Sequence, residues 1–352
     1  MARNVTNKTL TAEQEIRALV QSSRPGVRLP SETLLSQRFK IARMTVNKLL
    51  AQMQSEGLIV RRRGSGTFVQ GSSSITFLIP IPDFFSNPEY EFDRDPLQRY
   101  LAGALQQSKE LNAVIEIFAA SKSNSREELD WNGFKRFNSD SMLIVPGTWF
   151  YRCFPLLAQK RSRVAFLDHQ SRMYGTKQYT ANWIKLTADR RDAVIRILER
   201  FRQAGCRYPA IASPCLMSAP THDDIYYDLP LPGFAEKIIR IPTHCCFSEK
   251  NQHLIASAVR RAYDRHKFDC LIVDDSRFFT VLSIHRYLDL PESVKICALH
   301  IPQATCKENI VANGTPPFEK MGADAVKLLL QSSRSKLIKK YDYIFSNMGL
   351  LD

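Results

Sequence analysis

Apolar positions follow two different periods along this chain, and the change comes near residue 70. Before it, Val46, Leu49, Leu50 and Met53 fall at i, i+3, i+4 and i+7, one complete core-facing stripe of a helix over residues 43–55. Ser31, after Pro30, is a natural N-cap for an earlier helix over 31–39, and Glu32 suits the positive end of its dipole. Glu56-Gly57 stops the second of these helices with a glycine where helices commonly end. LIVRRR and TFV then alternate as two short strands around Gly-Ser-Gly. Residues 1–70 therefore read as three helices and a hairpin, and GSSS (71–74) as a small polar linker.

From Ile75 the pattern becomes apolar runs separated by helical stretches. ITFLIPI (75–81), AVIEIFAA (113–120), SMLIVP (141–146), RVAFLDH (163–169), YPAIAS (208–213), FDCLIVDD (268–275) and VKICALH (294–300) are expected strands. Amphipathic helices are expected over 95–111 and over 321–331, the latter with Met321, Ala325, Leu328 and Leu329 on one face. Fully apolar strands separated by helices argue for parallel sheet covered on both faces. About 280 residues exceed the usual size of one core, so residues 75–352 are expected to form two lobes.

Charge sharpens the picture of the front end. The chain of 352 residues carries a net +14, and residues 1–70 hold 12 Lys and Arg against 4 Asp and Glu, a net +8. Over half of the excess sits in a fifth of the chain, the footprint of a module that binds a polyanion. Opposite the apolar stripe, the 43–55 helix shows Met44, Asn47 and Lys48, with Arg43 and Thr45 flanking its first turn. Arg can pair with guanine O6 and N7, Asn with adenine, and Met or Thr methyls can touch thymine. In the hairpin Arg61 and Arg63 project to one side, and Gly64-Ser65 at the tip let backbone approach a phosphate or a minor groove. The Gly-Ser-Gly tip has neither the Lys-Ser/Thr of a phosphate loop nor the third glycine of a dinucleotide fingerprint. One helix for the major groove and one basic wing for the adjoining backbone make a winged helix-turn-helix.

The back end ends its strands in polar residues. Asp274 and Asp275 close the IVDD step, Asp168 follows RVAFL, a loop with Phe84, Phe85 and Asn87 follows the first strand, and Trp149 follows the third. In parallel α/β sheets, residues at the carboxyl ends of strands line the ligand crevice. Aromatic rings and carboxylates together suit a carbohydrate, although each residue alone fits loop packing or a helix cap equally well.

Other chemistries find little support. Eight cysteines show no Cys-x-x-Cys spacing and no zinc-ligand pattern with histidine, so no metal or cofactor is expected and buried, reduced thiols are. No Gly-x-Ser-x-Gly, His-Glu-x-x-His or phosphate-loop lysine is present, and His222-Asp223-Asp224 reads as a polar loop. The start, MARNVTNKTLTAEQE, lacks a signal peptide's apolar core, and no run approaches the roughly 18 apolar residues of a membrane span. A cytoplasmic protein without membrane contact is expected. An enzyme domain fused to a DNA-binding head is the alternative, and a periplasmic-type solute carrier fits poorly with the basic head.

The front end resembles the DNA-binding domain of the GntR family in LPSE, in Ala42-Arg43-Met44-Thr45-Val46, in EGL at 56–58 and in the closing Arg-x-Gly-x-Gly-Thr-Phe-Val. That resemblance places Arg43, Thr45, Asn47, Arg63 and Gly64 at the DNA. Ala42 stands where the family usually has Ser or Thr, and Asn47 where it usually has Arg. From Ile75 onward the chain resembles the effector domain of the LacI/GalR repressors, similar to periplasmic sugar-binding proteins. Ser86-Asn87-Pro88, Asp168, the Val-Asp-Asp step at Asp275 and Met321-Gly322-x-x-Ala325 carry it. Leu231-Pro232-Gly233-Phe234 lacks the family's arginine, and Asp274 replaces its usual asparagine, departures that argue against an ordinary pentose or hexose as the effector. Together the two resemblances imply a ligand-controlled repressor, a homodimer on a palindromic double-stranded operator, with a sugar-like molecule between its lobes.

Overall fold

The computed structural model describes residues 7–351 apart from 24, 63, 71–72, 88–90, 112, 124, 126–127, 169–177, 214–228, 230–233, 235–236, 244–248, 275–283, 301–311 and 332–335. It is a mixed α/β molecule, with a helical, winged head followed by two parallel-sheet lobes.

The head comprises α1 (Asn7–Ser22), α2 (Glu32–Phe39), α3 (Arg43–Ser55), β1 (Ile59–Arg62) and β2 (Gly66–Val69). Ser31 caps α2 by accepting the Leu34 N–H, and Lys40 ends that helix in the left-handed region at φ 51°. Val46, Leu49, Leu50 and Met53 of α3 are buried with Leu35 of α2 and with Ala12, Ile16 and Val20 of α1. Ala42 at the start of α3 makes no side-chain cap, the local consequence of having no hydroxyl there. Arg17 of α1 forks onto Glu56 at the end of α3, at 2.5 and 2.8 Å, and this hydrogen-bonded pair lowers the Glu56 carboxyl to about 2. In the wing, β1 and β2 pair antiparallel, and Gly64 and Gly66 turn the tip at φ 74° and 119°.

The first lobe holds β3 (Ser73–Ile79), α4 (Glu91–Glu110), β4 (Ala113–Ala119), α5 (Trp131–Phe134), β5 (Met142–Pro146), α6 (Phe154–Gln159), β6 (Arg163–Asp168) and β7 (Ile184–Ala188). Then α7 (Arg190–Gln203) leads into the second lobe, with β8 (Pro209–Ser213), β9 (Ile239–Pro242), α8 (Glu249–His266), β10 (Cys270–Val273), α9 (Ile284–Leu288), β11 (Lys295–Leu299) and β12 (Ala312–Thr315). The chain returns through α10 (Phe318–Gln331) to β13 (Leu337–Tyr341), and crosses again to β14 (Ile344–Ser346). Among the described residues the first sheet has the order β13-β7-β6-β5-β3-β4, with every pair parallel. The second has the order β14-β12-β11-β10-β8-β9, parallel except for β14. The chain thus passes between the lobes three times, after β7, after β12 and after β13.

Apolar clusters cover both faces of each sheet. Two strand residues, Ser73 and Ser74, occupy part of the stretch expected to be linker, because they pair with Ala113 and Val114. The helix expected from residue 95 begins at Glu91 and contains Pro96 in its second turn. Where α4 crosses α10, glycines allow backbone contact. A Cβ on Gly322 would lie 2.0 Å from the Tyr100 carbonyl oxygen, and one on Gly103 1.9 Å from that of Glu319. Arg99 bridges the same helices, bonding Glu319 at 2.6 and 2.9 Å.

Gly322→Ala is expected to destabilise the first lobe by about 1–3 kcal/mol or more, since backbone cannot yield as a flexible side chain would. Urea unfolding checks this, and an unchanged midpoint contradicts the close helix packing.

Candidate functional site

Two arrangements of polar residues stand apart from the ordinary surface. The first is the outward face of α3. Met44 is 72% exposed, Arg43, Asn47 and Lys48 are exposed, and Thr45 is half-buried at the first turn. Their projection follows from the apolar stripe: burying Val46, Leu49, Leu50 and Met53 turns positions 43, 44, 47 and 48 outward.

Glu32, in the first turn of α2, organises that face. Its carboxylate accepts from Arg61 of β1 at 2.5 Å, from Asn47 at 3.3 Å and from Arg43 at 3.4 Å. Arg61 also approaches the Asn47 side-chain oxygen at 3.5 Å. A residue read from the sequence only as a dipole partner therefore joins α3 to the wing. Only the spacing of Glu32 from Arg43 could have hinted at this. At the wing tip Gly64 and Ser65 are exposed, while Arg63 lies outside the described residues.

The second arrangement lies where the carboxyl ends of both sheets come together. Asp274, just after β10, is buried and accepts from Ser213 at the end of β8 at 2.7 Å and from Arg190 at 3.1 Å. Arg190 is the first residue of α7, at the first crossing, and only 1% of its side chain is exposed. Asp189 before it caps α7 through the Asp192 N–H and donates its own N–H to the Tyr341 carbonyl. His300 follows β11, with Nδ1 4.0 Å from Asp274 and Nε2 2.7 Å from the Tyr343 hydroxyl. Tyr343 lies on the third crossing. Burial pushes its hydroxyl well up, Arg190 opposes that rise, and the charges of Asp274 and Asp168 add to it. Asp168, the buried last residue of β6, thus brings a carboxylate from the first lobe into the electrostatic surroundings of the second. Asp275 lies outside the described residues.

The loop after β3 has a different character from that expected. Phe84 is fully buried, edge-on to Phe85 and Trp149 at centroid distances of 5.5 and 5.9 Å, and packs on Ile81 and Leu97. In this structure it is a packing piece within the loop, whereas the sequence pattern places it at the ligand crevice. Phe85, Asn87 and Trp149 are half-buried. Asn87 donates to Asp83 at 3.3 Å, and Arg94 donates to the Phe85 carbonyl at 3.0 Å, so the loop is fixed from within and from α4.

Arg190, Ser213, His300 and Tyr343 went unread in the sequence. Nothing in Asp-Arg-Arg at 189–191 marks its first arginine as buried, since the carboxylate it meets lies 84 residues away.

Comparison with known proteins separates the two parts. Residues 8–69 match the model of the bacterial regulatory proteins of the gntR family. The head is a GntR-family domain. Over 46 residues the chain is 50% identical to the histidine utilization repressor of Klebsiella aerogenes, a match covering 13% of this chain and 19% of that protein. The chain thus spans about a fifth of that relative's length. The rear resembles a LacI transcriptional regulator from Lactobacillus brevis, at TM-score 0.54 and 13% identity, over 78% of this chain and all of that one. A lac repressor dimer bound to operator and the anti-inducer ONPF aligns at TM-score 0.50 and 11% identity, covering 97% of this chain and 98% of that one. At such identity the likeness is one of fold: the two lobes have the architecture of LacI-type, periplasmic-binding-protein-like effector domains. No helix among the described residues is long and apolar enough to cross a membrane.

Asp274→Ala is expected to destabilise the fold by about 3–5 kcal/mol, because it strands the buried Arg190 guanidinium. The double change Arg190→Met with Asp274→Leu should recover much of that loss. Chemical unfolding of the three proteins checks this, and a single variant as stable as wild type contradicts the pair's place in the core.

Proposed function

We propose that the chain is a DNA-binding transcriptional regulator, a repressor, whose grip on its operator is set by a small molecule held between the two rear lobes. The observation that carries this reading is the exposed Arg43-Met44-Asn47-Lys48 face, tied through Glu32 to Arg61 of the wing. Pre-ordering long side chains reduces the entropy lost on docking, and a duplex phosphate can displace Glu32 from Arg61 while Arg43 and Asn47 turn to base edges. Thr45, Gly64 and Ser65 suit backbone contacts, as does Arg63. With Asn47 in place of the family's usual arginine, the operator should favour adenine where relatives of the head read guanine.

The effector reading rests on the lobes. Asp168 and Asp274 come from different sheets to one junction, near the crossings on which lobes of this architecture hinge. Asp83, Asn87 and Trp149 stand on loops at the same ends of the first sheet. Carboxylates and an aromatic edge suit a polyhydroxylated, sugar-like molecule, and the LacI-type fold supports the same class. Arg190 already engages Asp274, so the ligand should bring a group that can accept from the guanidinium as well as hydroxyls that donate to carboxylates. Such a regulator acts in the cytoplasm as a homodimer, one head for each half of a near-palindromic site.

Selection of bound duplexes from a random pool, followed by affinity measurement on base-substituted sites, tests this. Arg43→Ala should lose about 1–3 kcal/mol of discrimination at one base position per half-site while leaving the other positions unchanged. Wild-type discrimination in that variant would show that α3 does not read the groove.

A further inference from the structure

On the side of the second lobe away from the junction, Cys206, Asp269 and Cys270 bring one donor atom each within 4.8 Å of one another. Cys206 lies on the turn that follows α7, 6% exposed, and Cys270 opens β10, fully buried. A metal ion and a redox couple are the two chemistries such a group could serve. Asp269 decides between them. Its two carboxylate oxygens accept the backbone N–H groups of Arg207 and Tyr208 at 2.7 and 2.9 Å, so it staples the turn to β10. That leaves two soft donors, short of the four ligands of a closed zinc site or the three of an open one.

We propose that Cys206 and Cys270 are a redox-sensitive dithiol that closes to an intramolecular disulfide when the folded protein meets a peroxide. The two sulfurs are unequal, as attacking and resolving thiols need to be. A hydrogen bond from the Cys270 thiol, helped by nearby Lys295, holds Cys206 below the ordinary thiol value despite burial and Asp269. The same hydrogen bond and burial push Cys270 up. By contrast Cys153 is pushed up to about 12 by burial alone.

The steps balance. The Cys206 thiolate attacks one oxygen of hydrogen peroxide, the O–O bond breaks, and the departing hydroxide takes the thiol proton as water. The resulting sulfenic sulfur is then attacked by Cys270, the S–O bond breaks, and the second hydroxide leaves with the Cys270 proton. Two thiols lose two electrons in all, and the peroxide becomes two waters.

Position gives the bond a consequence. Arg190 begins α7 and Asp274 follows β10, so the buried ion pair adjoins one end of these two elements while Cys206, just past the far end of α7, and Cys270, at the start of β10, lie at the other. Oxidation would clamp the turn after α7 to the start of β10, closing a loop over the 63 residues between Cys206 and Cys270, and stiffen the lobe without touching the junction itself. This inference stands independently of the proposed operator and effector.

Purified full-length protein is exposed to hydrogen peroxide, its remaining thiols are alkylated, and its peptides are mapped without reduction. The expected result is a Cys206–Cys270 linked pair, two hydrogens lighter, dominant over every other pairing, confined to one chain and reversed by dithiothreitol. In Cys270→Ser, dimedone should trap a sulfenic acid at Cys206, whereas Cys206→Ser should leave Cys270 unoxidised. Free alkylated thiols at both positions in the wild type would overturn the proposal. So would stoichiometric zinc, removable by a chelator, that shields both thiols from peroxide.

Discussion

The rear of this molecule depends on one constraint: the chain must cross between its lobes three times, at residues adjoining the carboxyl ends of parallel strands. Right-handed crossovers in parallel sheet put loops at those ends, and the triple crossing makes the two sets of loops face a common junction. Asp168, Asp274, His300 and Tyr343 meet there because their strands stop or cross there. Arg190 completes the group from the first crossing. A buried guanidinium and a buried carboxylate tolerate each other only at hydrogen-bonding distance, which the 3.1 Å separation provides. The same pair shapes the electrostatics around Tyr343.

At the other end of the chain, α3 has a buried apolar face and an exposed polar one. The stripe that locks α3 onto α1 and α2 fixes which residues face outward, and Glu32 then sets where their long side chains rest. Head and first lobe also touch directly, since Ser73 at the start of β3 donates to the Pro25 carbonyl at 3.1 Å. A change in the first lobe therefore has a short route to the segment that pairs with the wing, where Leu29 and Val27 bond β2 at 2.8 and 2.9 Å. Coupling by this route can be no stronger than the difference in a ligand's affinity for two arrangements of the lobes.

Much of this was legible in the sequence because burial leaves a periodic trace. The α3 stripe is a complete helical face, α2 starts on a capping serine, and the strands β3, β5, β6, β8, β10 and β11 are largely apolar runs. The strands that escaped notice lack that trace. β13 carries two lysines in LIKKY, β12 is Ala-Asn-Gly-Thr, β9 and β14 are only four and three residues long, and β7 alternates buried and half-buried positions. Among the side chains described, positions set by local spacing could be anticipated, such as the outward placement of Arg43 and Asn47 on α3. Those set by tertiary contact could not: nothing local marks Arg190 as the partner of a carboxylate 84 residues away, or Phe84 as a ring packed on Ile81, Leu97 and Trp149.

The central claim is that what happens between the lobes changes the hold of the head on DNA. Its most direct measurement is operator affinity of the full chain by fluorescence anisotropy, at fixed ionic strength, with and without a sugar-like compound that raises the protein's melting temperature. The account predicts a shift in Kd of about 5–150-fold, the range usual for coupled sites. An operator Kd unmoved by a saturating, stabilising ligand would contradict it.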